Sequence, residues 1–479
     1  MNYKADAVVI GSGAAGSVMA YKLASRGLKV ILVERGMRQD PQTFEHDELA
    51  MFPRLYKQGG LQTTVDHDVT IAQGAAVGGS TVINNAIWLR ADLDRVLPDW
   101  ARAGAAVPKA ALEAAYGEIE SALHVSPVPP QLANKASEVF LRGCEILGIP
   151  AGYLQNNRDT CIACGWCNYG CRYNRKTSML VTYIPWAEAR GAEVLDQCHN
   201  ATIITKGNVA TGVRFFRLGE AITVEADRVV VCAGAIGSSE VLLNSGITLD
   251  GRVGQGLHAL GGILVMAETN EILDGFDGIG LTCIADASDE YVIESYFAPP
   301  LVFSLGLGGW FLTHFRRMMR YRYFAGGGVM TATDPVGRVA LDKKGRVRIH
   351  LKFSDRDLQR LRRGVWTLSQ IFFAGGAIRV IPASYKLLEF TRPEELGLID
   401  EQISRPEDLL LGSAHPQGGN GMSEDPQKGV VDNDFSVHGY QNLYVADASV
   451  FPTNIWANCQ ATVMAMAHYA SGFVAQSSL

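Results

Sequence analysis

Several things are missing from this sequence, and each absence narrows its function. The opening residues MNYKADAVVIGSG show no basic stretch, apolar core and small-residue cleavage site in that order, so no secretory leader is expected and the expected compartment is cytoplasmic. There is no excess of positive charge. With 43 Lys and Arg against 49 Asp and Glu, the formal net charge is −6, so nucleic acid is not expected as a partner. Low-complexity tracts and a collagen-like period are also absent, so the 51 glycines point to tight turns and close approach of backbone to a ligand. Charged residues make up only 19% and hydrophobic ones 47%, which excludes a disordered chain and provides for a large core. Nine cysteines in 479 residues do not form the dense pattern of a small secreted disulfide scaffold. Four of them nevertheless crowd together at Cys161, Cys164, Cys167 and Cys171.

Residues 5–10, ADAVVI, form the kind of short apolar run that makes a buried parallel strand. Gly11, Gly13 and Gly16 follow, SVMAYKLASRG reads as an amphipathic helix, and KVILVE is a second strand ending at Glu34. Strand, glycine turn, helix, strand and acid in this order predict a dinucleotide site. Gly11, Gly13, Ala14, Ala15 and Gly16 are expected around the pyrophosphate at the helix N-terminus, with Glu34 at the adenosine ribose and its neighbour Arg35 also among the cofactor-binding residues. The pattern does not choose between NAD and FAD. The later glycines at 326–328 and 375–376 lack the full frame, so a single dinucleotide is expected.

Further along, residues 74–90 read GAAVGGSTVINNAIWLR, where Gly78 and Gly79 free the backbone to approach a ligand and Ser80, Asn84 and Asn85 offer polar side chains. Residues 229–247, VVVCAGAIGSSEVLLNSGI, read as a buried strand, a turn at Ala233 and Gly234, and a helix. HPQGGNGM begins at His415, and NLYVADASVFP precedes Asn458.

Together these segments resemble the glucose–methanol–choline (GMC) family of FAD-dependent alcohol oxidoreductases over nearly the whole chain, with HPQGG most similar to the cholesterol-oxidase and long-chain-alcohol branches. The resemblance implies FAD as cofactor, Asp447 and Ala448 on the flavin side, and His415 and Asn458 as the catalytic pair, Asn458 also facing the flavin. It further implies an α/β fold in which a Rossmann-like FAD-binding domain is interleaved with an α+β substrate domain built on an antiparallel sheet. The expected boundaries are 1–90, 176–255 and 425–479 for the first and 91–175 and 256–424 for the second. Alternation in GRVALDKKGRVRIHLKF supports the sheet.

The chemistry needs these residue types. Oxidation of an alcohol removes the hydroxyl proton while the carbon gives a hydride to flavin N5. A histidine suits proton removal, and an asparagine offers both a donor and an acceptor to hold the alcohol. His438 and His468 are expected to be structural. The resemblance and the aromatic middle segment favour a bulky apolar or aromatic alcohol. An electron-transfer flavoprotein without alcohol oxidation is the alternative, and a flavin-binding interaction module a third.

CIACGWCNYGC has the spacing C-x2-C-x2-C-x3-C of a bacterial-ferredoxin run, with Arg172 where proline is usual. An iron–sulfur cluster (4Fe–4S or 3Fe–4S), a zinc site and a set of reduced thiols all remain open readings. Long-chain-alcohol relatives carry a similar loop followed by Lys and Ser, as Lys176 and Ser178 do here, and most are treated as flavin-only. A cluster would suit a dehydrogenase that exports single electrons to a protein carrier or quinone rather than an oxidase. The other cysteines read as core. From Ser295 to Phe315 there is no Asp, Glu, Lys or Arg, but Pro299, Pro300 and the glycines at 306, 308 and 309 argue against a membrane span. The arginines that follow leave peripheral membrane contact, an apolar substrate path and a core helix as readings.

Overall fold

The predicted first strand is longer than its apolar run. In the computed structural model, which describes residues 2–476, β1 is Asn2–Ile10, followed by α1 (Ala14–Ala24) and β2 (Val30–Val33). β1 runs parallel to β2 on one side and to β3 (Glu220–Val231) on the other. β3 leads into α2 (Gly234–Asn244), as GAIGSSEVLLN predicts. Strand 193–195 extends the sheet beyond β2, strand 443–445 lies parallel to the end of β3, strand 209–217 lies antiparallel to the start of β3, and strand 198–206 completes the sheet antiparallel to 209–217. The ends of β1 and β3 are level, Ile10 opposite Val231, so their two turns open on one edge of the sheet. α1 is not the one-sided amphipathic helix expected. Eight of its eleven residues are buried, because the helix Gln460–Gln476 packs against it on the side away from the sheet.

The second sheet is the predicted antiparallel one. Its centre is β4 (Gln255–Thr269), flanked by β5 (Val292–Ser295), β6 (Phe324–Ala332) and β7 (Leu411–Gln417). β6 pairs with β4 from Leu260 to Glu268, β5 pairs with β6, and β7 pairs with the first half of β4 on its other edge. The alternating residues 337–350 form a hairpin of strands 337–341 and 347–350 at the start of β4. Strand 69–71, inside the stretch expected to bind FAD, joins this sheet parallel to β7. The helix α3 (Asp355–Ala374) is capped reciprocally by Ser354 and Asp357 and covers one face, its Gly364 against Val329.

The charge-free stretch 295–315 is broken into the end of β5 and two short helices, Pro300–Gly306 and Phe311–Met318. Among the described residues, no helix is long and apolar enough to cross a membrane. Trp310 and Phe311 are 80% and 90% exposed.

Candidate active site

The first half of the site lies where the turns after β1 and β3 meet. Gly11 has φ of +100°, and a Cβ on Gly16 would lie 1.7 Å from the Gly11 carbonyl oxygen. α1 therefore comes as close to β1 as backbone allows. A Cβ on Gly13 would meet nothing nearer than Gly79 Cα at 4.0 Å, so space opens at the N-terminus of α1, where no side chain caps the helix. Free N–H groups and the helix dipole favour an anionic group there. Ala14 borders this space, whereas Ala15 is buried and Gly16 serves the helix–strand contact.

The Glu34 carboxylate accepts hydrogen bonds from Ser12 N at 2.9 Å, Ser12 Oγ at 2.8 Å and Gly36 N at 2.8 Å. Ser12 Oγ in turn accepts from Gly78 N at 3.0 Å. The acid, the glycine turn and the 74–82 segment thus form one connected edge. Arg35 pairs with Glu240 through its Nη2 at 2.7 Å. Glu34→Ala is expected to weaken FAD retention several-fold while leaving hydride transfer in the loaded fraction unchanged. FAD content after gel filtration checks this, and unchanged retention would mean the ribose is held elsewhere.

At the second turn, Gly234 has φ of +79°. Asp447 was expected on the flavin side. Its buried carboxylate accepts from Gly234 N at 2.7 Å and Ser238 Oγ at 2.5 Å, capping α2, and from Ser449 N at 2.8 Å. Burial raises its pKa. Ala233 and Ala448 flank this cap. Ser80 Oγ accepts from Gly74 N, the Asn84 amide donates to Gln460 Oε1, and the Asn85 amide donates to Asn168 Oδ1 at 3.1 Å. These three side chains brace the segment.

Strand register assembles the second half. His415 on β7 lies opposite Leu260 on β4. Leu264, four residues on and so on the same face, lies opposite Gly328 on β6, and Gly328 lies opposite Glu294 on β5. Val329 points to α3, so His415 and Glu294 share the other face. The buried Asn458 amide lies close enough to Glu294 to oppose the effect of burial on that acid. Gln417 Oε1 accepts from Ile455 N at 3.1 Å, tying β7 to the loop that carries Asn458.

Among the described residues, His415 Nδ1 and Asn458 Oδ1 are buried without a hydrogen-bond partner. Burial pushes the His415 imidazole down to about 4, with the Leu260 backbone pulling weakly the other way. Burial lifts Glu294 to about 7, with the Asn458 amide opposing. Gly328 is buried, yet a Cβ there would meet nothing within 4 Å. The sheet face between His415 and Glu294 is therefore open. Sequence reasoning missed Glu294, although a lone acid inside the apolar run YVIESYF is a visible signal.

His438 Nε2 pairs with the Ser423 carbonyl, and His468 pairs with Glu118, as structural histidines would. None of the nine cysteines is in a disulfide. Among the described residues, no group of three or more His, Cys, Asp or Glu side chains converges on a single metal ion.

The open helix N-terminus, the glycine-lined edge and the anchored Glu34 fit FAD, and unpartnered polar atoms await it on the opposite sheet. Family comparison agrees. Residues 6–44 match a model described as FAD binding domain, and residues 52–260 and 333–467 match two models described as GMC oxidoreductase. The chain is 30% identical over 482 residues to an uncharacterized GMC-type oxidoreductase, y4nJ, of Sinorhizobium fredii, covering 98% of this chain and 94% of the relative. It is 25% identical to the long-chain-alcohol oxidase FAO3 of Arabidopsis thaliana, covering 99% of this chain and 68% of the relative. Among solved structures, pyridoxine 4-oxidase from Mesorbium loti superposes with a TM-score of 0.73 at 18% identity, covering 98% of this chain and 99% of that one.

Proposed function

This chain belongs to the GMC oxidoreductase family, and on that premise we propose that it oxidises a bulky, apolar or aromatic alcohol to a carbonyl with His415 as base and Asn458 as partner. The observation that carries this reading is the pair of buried, partnerless atoms, His415 Nδ1 and Asn458 Oδ1, on one open sheet face. Bound FAD supplies a hydride acceptor at N5. His415, neutral at ordinary pH, takes the hydroxyl proton. Asn458 holds the alcohol oxygen with its unpartnered amide oxygen. A flavoprotein that only relays electrons needs neither group, which favours alcohol oxidation over that alternative. The similarity to a long-chain-alcohol oxidase supports an apolar substrate. The test is product analysis: a carbonyl should form in step with acceptor reduction, and no turnover across short, long and aromatic alcohols would reject the reading.

Glu294 gives the reaction a pH profile. Below about 7 Glu294 is neutral and adds no charge to the face that holds His415 and the alcohol. Above that value the carboxylate repels the negative charge that develops on the alcohol oxygen as it loses its proton. Below about 4, His415 is protonated and cannot act as base. kcat/KM should therefore rise through about 4 and fall several-fold through about 7. Glu294→Gln should abolish the fall, and a fall that persists in this variant would remove Glu294 from the account.

Gly328 gives a size test. Gly328→Val places a side chain in the open space, so KM should rise about tenfold for bulky alcohols and change little for short ones. Equal effects on both would place the substrate elsewhere.

A further inference from the structure

The four clustered cysteines take no part in the chemistry above, yet they line one pocket with Arg158, Arg175 and Lys176. Lys176 is 1% exposed and Arg158 5% exposed. Among the described residues, neither has a carboxylate within ion-pair distance. Lys176 Nζ donates only to the carbonyls of Val82, Asn84 and Cys167, at 2.7, 2.9 and 2.7 Å. Arg158 donates through Nη2 to the Asn85 carbonyl and, at 3.6 Å, to Cys167 Sγ, while its Nε and Nη1 are buried without a partner. Two buried cations without an anion are costly. The sulfurs also collect backbone donors: Ala163 N lies 3.3 Å from Cys161 Sγ, and Arg175 N and Lys176 N lie 3.3 and 3.4 Å from Cys171 Sγ. Neutral thiols are weak acceptors, whereas metal-bound thiolates gain from such donors.

A zinc ion would require the thiols to converge on one point, which they do not. In an iron–sulfur cluster each thiolate binds its own iron, so the sulfurs stand around a volume. The cluster with its four thiolates is anionic, which matches the two unpaired cations.

We propose that Cys161, Cys164, Cys167 and Cys171 hold an iron–sulfur cluster, with Arg158 and Lys176 balancing its charge. Lys176 clamps the loop onto Val82 and Asn84, so the cluster lies one packing layer from the segment that borders the FAD cleft. This assignment is independent of alcohol oxidation, because it is read from metal content.

The test is iron and acid-labile sulfide analysis of the FAD-loaded protein, purified anaerobically and reconstituted with ferrous iron and sulfide, with electron paramagnetic resonance after dithionite reduction. The expected result is about four irons and four sulfides per chain, with a reduced-cluster signal. Cys164→Ser and Cys171→Ser should each lose most of the iron while retaining FAD, which shows that they are folded. Flavin-loaded protein without iron or sulfide after reconstitution, zinc in place of iron, or full iron in both variants would overturn the proposal.

Discussion

His415→Ala should lower alcohol turnover by ~10²–10⁴ while FAD stays bound, as expected on losing a general base. The proposed dinucleotide contacts lie on β1, α1 and the turn after β3, whereas His415 stands on the separate antiparallel sheet, so the substitution should leave that cleft intact. The backbone should also tolerate it, because β7 is held by its register with β4 and by Ser413 Oγ, which donates to the Leu260 carbonyl at 2.8 Å. The imidazole makes no side-chain hydrogen bond through Nδ1 that alanine would break. Steady-state kinetics on FAD-loaded protein check the outcome. Wild-type turnover in the variant would mean that another group removes the proton, and Glu294 on the same face would be the next to test.

Gly16→Val should yield a chain that retains almost no FAD. The new Cβ would lie 1.7 Å from a backbone oxygen, so no rotamer relieves the clash and α1 must leave β1. Overpacking ordinarily costs about 1–3 kcal/mol, and more where the neighbour is rigid backbone. Helix 460–476 closes the other side of α1, so the retreat spreads through the core. FAD content per chain and thermal unfolding measure this. Gly117→Ala is the control, since a Cβ there meets nothing within 4 Å and alanine is the better helix former. Normal FAD loading in Gly16→Val would show that the close approach of α1 is dispensable.

What could be read from the sequence was local. β1, the glycine turn, α1 and β2 follow one another within 34 residues, and each has its own pattern of apolar spacing and turn chemistry. The hairpin in 337–350 was equally legible, since alternation and a turn suffice to specify it. α1 was misread because the helix that buries its outer side comes from the other end of the chain. Asp447 was expected near the flavin from the family resemblance, and Asn84 and Asn85 from a segment like the family's first signature, but none of the three positions gives its hydrogen-bond partners in sequence. Their partners, Gly234, Gln460 and Asn168, are set by tertiary structure. The place of Glu294 in the site was missed for a related reason. It meets Asn458 and shares a face with His415 only through the registers of β5, β6, β4 and β7, and no short motif encodes a register across four strands.

The most direct measurement of the central claim is anaerobic mixing of FAD-loaded protein with a panel of alcohols, following flavin absorbance in wild type and His415→Ala. Without oxygen or another acceptor, the electrons stay on the flavin. The account predicts rapid flavin bleaching by at least one bulky apolar or aromatic alcohol in the wild type, slowed at least a hundredfold (~10²) in the variant. A wild-type flavin that stays oxidised across the panel, or a variant that bleaches at the wild-type rate, would contradict it.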